Sequence, residues 1–157
     1  MALITPHPVQ KSVVLHATPE HAFAVFTAGM SRWWLKTHHI GAAPLKDVVI
    51  EPHSGGRWYE RGEDGSECDW GRVLVWEPPR RLVLTWQIDA QWKYDPGLVT
   101  ELEVTFTPAG EQVTRVALEH RNLERYGERA EAIRAQLDGG WPKLVESFAN
   151  ACGEERR

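Results

Sequence analysis

The last third of the chain carries the pattern that most restricts its fold. In "GGWPKLVESFANAC", Trp141, Leu144, Val145, Phe148 and Cys152 recur at i, i+3, i+4, i+7 and i+11, one apolar stripe of an α-helix. Such a stripe must be covered by another apolar surface. The residues before it supply one. "RRLVLTWQID" puts Leu82, Leu84, Trp86 and Ile88 on one face and Val83, Thr85, Gln87 and Asp89 on the other. "LVTELEVTFTPAG" sets Leu102, Val104 and Phe106 against Glu101, Glu103 and Thr105, and "VTRVALEHRNL" sets Val116 and Leu118 against Arg115, Ala117 and Glu119. Short turns join these strands, so the sheet is antiparallel.

Three further strands precede them: "KDVVIEP", "RWYERG" and "ECDWGRVLVWE", cut by "HSGG", "EDGS" and Pro78-Pro79. Val73 to Trp76 show no alternation, which leaves the inward face of that strand open. "QKSVVLHA" begins the series as a strand, and "TPEHAFAVFTAG" then opens a helix. Thr18 is a suitable N-cap, Pro19 loses nothing by lacking an N–H in the first turn, and Glu20 meets the positive end of the helix. "MSRWW" reads as a second short helical turn, and "ERAEAIRAQL" as a helical segment ahead of the final stripe. The predicted order is β-α-α-β-β-β-β-β-β-α.

Eight tryptophans stand out in 157 residues, with six of them (Trp33, Trp34, Trp58, Trp70, Trp76 and Trp86) in the first ninety. Indole is wide and its N–H needs a partner, so this density predicts a broad aromatic interior. The formal charge of −4 and the lack of a dense basic run exclude nucleic acid as a partner despite the aromatics. Cys68 and Cys152 lack CxxC spacing and read as free thiols of a reducing compartment. "MALITPHPVQ" lacks a basic start and a long apolar run, so it predicts no secretory signal, and no stretch approaches a membrane span. The expected location is cytoplasmic. No repeat or linker divides the chain, so residues 1–157 are expected to form one domain with its core at about 10–152.

Six stretches in this order carry a resemblance: "TPEHAFAVFT", "RWW", "SGGRWYERGEDG", "GRVLVWEPPRRLVLTW", "TELEVTFTPAGEQVTRVALEHRNL" and "GGWPKLVESF". From about Gln10 to Cys152 the chain resembles the START-related helix-grip superfamily (SRPBCC). Within it, the chain is similar to the activator of heat-shock protein 90 ATPase family, C-terminal-domain type. The resemblance implies an α+β, Bet v-like fold. A curved antiparallel sheet of six to seven strands would wrap a long C-terminal helix, with two short N-terminal helices. It also implies a cavity, often apolar, between sheet and helices. Members bind or transform small hydrophobic molecules or act as co-chaperones. The co-chaperones carry an additional N-terminal domain, for which this chain is expected to leave no room.

The candidate residues follow from that frame. Adjacent side chains diverge by about 100° on a helical turn, so of Trp33 and Trp34 one is expected to pack inward and the other to cover the cavity mouth. His38 and His39 are adjacent, a poor chelate outside any His/Cys cluster, so no metal is expected there. His120 continues the parity of Val116 and Leu118 and points to the concave face, where a neutral imidazole could contact a ligand or act as acid or base. Glu60 shares parity with Trp58, so if Trp58 faces inward Glu60 does too, and a buried carboxylate must pair or take up a proton. Glu60 and His120 are the candidate polar pair, whether as ligand contacts, as a structural ion pair, or without mutual contact. Trp92 and Tyr94 fall in a hairpin loop that could cap the sheet or form a protein contact. No serine has a G-x-S-x-G context and "SGG" opens no helix, so nucleophilic and phosphate-loop chemistry find no support.

The expected ligand-binding set is Trp33, Trp34, Trp58 and Trp86 for surface, with Glu60 and His120 for orientation. The expected function is binding of a small hydrophobic or aromatic molecule, with no cofactor. One alternative is a cavity enzyme (cyclase, hydrolase or dehydratase) using His120 as acid/base, with Glu60 the other catalytic candidate. Another is a stress-related co-chaperone or interaction module, and a homodimer or protein partner stays open.

Overall fold

The computed structural model describes residues 7–154. The segment read above as lacking a secretory signal therefore lies largely outside the described residues. Within them the strands are β1 (Val9–Leu15), β2 (Leu45–Ile50), β3 (Arg57–Gly62), β4 (Glu67–Glu77), β5 (Arg81–Trp86), β6 (Thr100–Gly110) and β7 (Val113–Arg121). They form one antiparallel sheet in the order β1-β7-β6-β5-β4-β3-β2. Between β1 and β2 run the helices α1 (Pro19–Phe26) and α2 (Met30–Trp33). A 3₁₀ segment, Leu123–Arg129, leads into the helix α3 (Ala130–Glu154). This is the α+β helix-grip architecture.

Local chemistry explains the element ends. Thr18 accepts a hydrogen bond from the His21 backbone N–H at 3.1 Å, and Pro19 occupies the first turn of α1. Gly29 separates α1 from α2 for lack of room: a Cβ there would stand 2.9 Å from the Val25 carbonyl oxygen. Ser31 on α2 closes the free edge of β2, accepting from Val48 N–H at 2.8 Å and donating to the Val48 carbonyl at 3.0 Å.

The missing alternation in β4 has a structural cause. Trp58 pairs with Gly71 and Tyr59 with Asp69, which leaves Trp70 as an extra residue; Val73 pairs with Leu84 and Val75 with Val83, which leaves Leu74 extra. Each bulge shifts the side-chain parity by one and bends the strand, so both Trp70 and Val73 reach the core while Leu74 faces solvent. At the first bulge the strands come unusually close, and a Cβ on Gly71 would lie 1.8 Å from the Thr85 carbonyl oxygen. On β5 the sequence alternation holds for the concave face only, because Val83, Thr85 and the following Gln87 on the other face are buried too.

The two helical segments expected near the C-terminus are one. α3 runs 25 residues, through Gly139, Gly140 and Pro142. An interior proline opposes a helix by about 3 kcal/mol and each glycine by about 1. Pro142 is exposed, while Ile133, Leu137, Trp141, Leu144 and Phe148 are buried against the sheet and the short helices. Full burial of such side chains contributes about 1.5–3 kcal/mol each, which outweighs the local penalty.

Candidate functional site

Residues Trp33 and Trp34 do not divide into core and surface. Both are buried, at 2% and 4% exposure, and their rings lie 5.7 Å apart. α2 is a single turn covered on both sides. Trp33 donates its indole N–H to the Val25 carbonyl at 2.9 Å and packs on Phe26 and Phe148. Trp34 ends the turn, its ψ of 135° sending the following chain out of the helix, and its ring packs on Trp70, Trp58 and Trp141. Neither covers a mouth at the surface.

Trp34 does form the wall of a cavity of about 490 Å³. This space lies between α3, the connection from α2 to β2, and the hairpin loop from β5 to β6. Four indoles in mutual contact form one continuous wall of it. Ring centroids are 5.0 Å apart for Trp34 and Trp70, 6.4 Å for Trp70 and Trp86, 6.1 Å for Trp86 and Trp141, and 6.0 Å for Trp141 and Trp34. Ile40, Ile88, Leu137 and Leu144 add aliphatic surface, and Thr37, His38, His39, Gln136, Gly140 and Trp92 complete the lining. No Asp, Glu, Lys or Arg lines it.

Three of the wall indoles spend their N–H on the protein. Trp34 donates to the His38 carbonyl at 2.8 Å, Trp70 to Glu60 Oε1 at 2.9 Å, and Trp141 to His120 Nδ1 at 3.3 Å. Their ring surfaces are what the cavity receives.

Glu60 and His120 are both buried, and each is closed by other partners. Besides Trp70, Glu60 accepts from Ile40 N–H at 2.6 Å and Gly41 N–H at 3.1 Å, with His39 Nδ1 at 3.8 Å. It ties the loop that forms one rim of the cavity to an indole of the wall. His120 accepts from Trp141 at Nδ1, so its proton sits on Nε2, which lies 3.0 Å from Thr100 Oγ1. Thr100 in turn donates to the Trp86 carbonyl at 2.8 Å. Burial pushes the His120 pKa down to about 3, so the ring is neutral. It stands edge-on to Trp86 and Trp141, behind the wall, and is not part of the lining. No bond joins Glu60 to His120. Trp58 is also one layer back, packed on Trp70 and Trp86 with its indole N–H buried and unpartnered.

Of the tryptophans singled out from sequence, Trp34 and Trp86 therefore line the cavity; Trp33 and Trp58 support it. Trp70 and Trp141 join the wall without having been singled out, the first through the β4 bulge and the second from the stripe read as plain core. The rim also uses His38 and His39, adjacent residues that both line the cavity. His38 has its Nδ1 2.9 Å from Thr37 Oγ1, and its pKa is lowered by burial and then by the positive charge of Lys143. Among the described residues no three His, Cys, Asp or Glu side chains group as a metal site. No helix there is long and apolar enough to cross a membrane.

Trp92 stands at the opening, 44% exposed, with a positive φ of 61°. A bulky residue in that region is strained by about 1–3 kcal/mol. The loop holds it there: Asp89 Oδ1 accepts from Gln91 N–H at 2.9 Å and Lys93 N–H at 3.0 Å, and Asp89 N–H donates to the Lys93 carbonyl at 2.8 Å.

Solved structures share the fold. An anthrahydroquino-γ-pyrone synthase, Txn09, is 42% identical over 94% of this chain and 97% of its own, with a TM-score of 0.66. CalC from Micromonospora echinospora, described as a self-sacrificing resistance protein, is 34% identical over 95% and 96%, with a TM-score of 0.70. The AHSA1 protein of Silicibacter pomeroyi, 21% identical over 94% and 99% with a TM-score of 0.66, shares the fold. A comparison with curated proteins returned no match. Residues 16–153 match the family described as Activator of Hsp90 ATPase homolog 1-like protein, and the chain belongs to that family.

Proposed function

We propose that this protein binds a flat, mostly apolar aromatic molecule in its indole-walled cavity. One observation carries the reading: four tryptophan rings in mutual contact wall a space of about 490 Å³ whose lining holds no Asp, Glu, Lys or Arg. That volume suits a ligand of several fused rings, and π surfaces favour flat partners. The strained Trp92 supports it as well, since backbone strain of this kind collects at ligand contacts.

The test is a titration of intrinsic tryptophan fluorescence with alizarin, a planar hydroxyanthraquinone. Saturable quenching at one ligand per chain is expected. Trp92→Ala is expected to weaken binding about tenfold, the value of one lost aromatic stacking contact. Quenching that never saturates in the wild type would end the reading.

A second reading adds chemistry in the same space. Identity of 42% to a synthase along almost the whole length favours it. His120 is poorly placed for proton transfer to a ligand in the cavity, because both ring nitrogens are engaged and the ring lies behind Trp86 and Trp141. A catalytic version of this site would draw on the rim, where Thr37, His38 and Gln136 face the opening.

A further inference from the structure

The rim of the cavity differs in character from its walls. One side is the loop with Thr37, His38 and His39; the other is α3, which contributes Gln136 and Gly140. Lys143 continues that helical stripe, since Gln136, Gly140 and Lys143 stand at i, i+4 and i+7. Between Gln136 and Lys143 the surface is notched, because a Cβ at Gly140 would meet nothing within 4 Å. Lys143 makes no ion pair among the described residues, and its charge reaches across to the His38 ring.

The acidic groups near this rim are Glu60, Asp89 and the exposed Glu146, which stands at i+3 from Lys143 on α3 and forms no ion pair with it. Glu60 lies behind the loop and accepts from Ile40 N–H, Gly41 N–H and Trp70. Asp89 is held inside the Trp92 hairpin by two backbone N–H groups. His39 has its Nδ1 on the Gly41 carbonyl at 2.9 Å. The rim therefore offers a hydrogen-bonding imidazole, a hydroxyl, a carboxamide and one unpaired ammonium, beside apolar walls.

We infer that this rim recognises an ionised acidic hydroxyl, a phenolate or enolate, at the edge of the aromatic ligand, with Lys143 supplying the charge and His38 a hydrogen bond. The inference rests on the cavity reading above and narrows its ligand class. A single cation beside a neutral ring matches one singly charged oxygen. A phosphate would call for several cations or a row of backbone N–H donors. The walls take the ring system and reward no charge, so the oxygen belongs at the opening. Lys143 and His38 thereby select among flat aromatics: those with an acidic hydroxyl on one edge bind best.

Alizarin tests this directly, because its visible absorption shifts to longer wavelength when its hydroxyl ionises. Its apparent pKa is read free in solution and bound to wild type, Lys143→Met and His38→Phe. In wild type the bound dye is expected to ionise about one pH unit lower than the free dye, an anion preference of about tenfold. Lys143→Met is expected to remove most of that shift while leaving the affinity for the neutral dye at low pH unchanged. Lys143 is exposed, so this variant keeps the fold, and its circular dichroism serves as the control. His38→Phe is expected to remove a smaller part. A bound dye that ionises at or above the free value, or a shift that survives Lys143→Met, overturns the inference and leaves the cavity reading standing. Failure of wild type to bind either form of the dye overturns both.

Discussion

His120 sits between two indoles, wholly buried and uncharged. Its neutrality has a measurable consequence. The ring's pKa is about 3 in the fold and about 6.5 in an unfolded chain. Below pH 6.5 the unfolded chain therefore takes up a proton that the folded one refuses. The contribution is fully present above pH 6.5 and declines as pH falls toward 3, by about 1.4 kcal/mol per pH unit. Urea denaturation between pH 5 and pH 6.5 is expected to show this slope in wild type and a flatter one in His120→Phe. Equal slopes would mean that His120 is charged in the fold or open to solvent. Glu60 shows the same logic at a second residue. Its parity with Trp58 placed it inward, but its partners come from a loop about twenty residues earlier and from the extra tryptophan of a bulge, and no residue pattern announces either.

Among the elements, α3 shows how packing overrides local preference. Its glycine pair and proline suggest a break, yet the stripe from Ile133 to Phe148 is buried without interruption of the helix. The two glycines differ in role. Both have open space where a Cβ would stand, but only Gly140 lines the cavity. Gly139→Ala is expected to stabilise the protein by about 0.5–1 kcal/mol, by lowering the backbone entropy lost on folding. Chemical denaturation checks this, and ligand affinity is expected to stay unchanged. β4 teaches a related lesson. Its irregular parity in the sequence was the mark of two bulges, one of which places Trp70 on the cavity wall.

The whole molecule divides its concave side into two kinds of space. Toward α1, the rings of Phe23, Phe26, Trp33, Phe106 and Phe148 pack tilted or edge to face on one another, and the gap beside Phe26, Trp33 and Phe148 is only about 10 Å³. Toward the β5–β6 hairpin the same sheet and helix stand apart and leave the larger cavity. Stability and binding are therefore separable. Gly140→Phe projects a ring into the open region without meeting a neighbour within 4 Å at its Cβ. It is expected to leave the melting temperature within a few degrees of wild type and to abolish alizarin quenching. Thermal denaturation and the fluorescence titration together check both halves. Loss of the fold in this variant would show that the region is packed more tightly than an open cavity.

Periodicity and turn chemistry alone determined the order of strands and helices, the cap of α1, and the stripe by which α3 meets the sheet. These features depend on residues a few positions apart, so they are written locally. The order of the six quoted stretches also pointed to the helix-grip family. The tertiary structure decided which indoles face the cavity and where each N–H is spent. Trp34 meets Trp141 across more than a hundred residues of chain, and Trp70 reaches the wall through a one-residue slip in register. Such contacts follow from strand pairing, bulges and the space left between layers, and these are properties of the assembled sheet and helix.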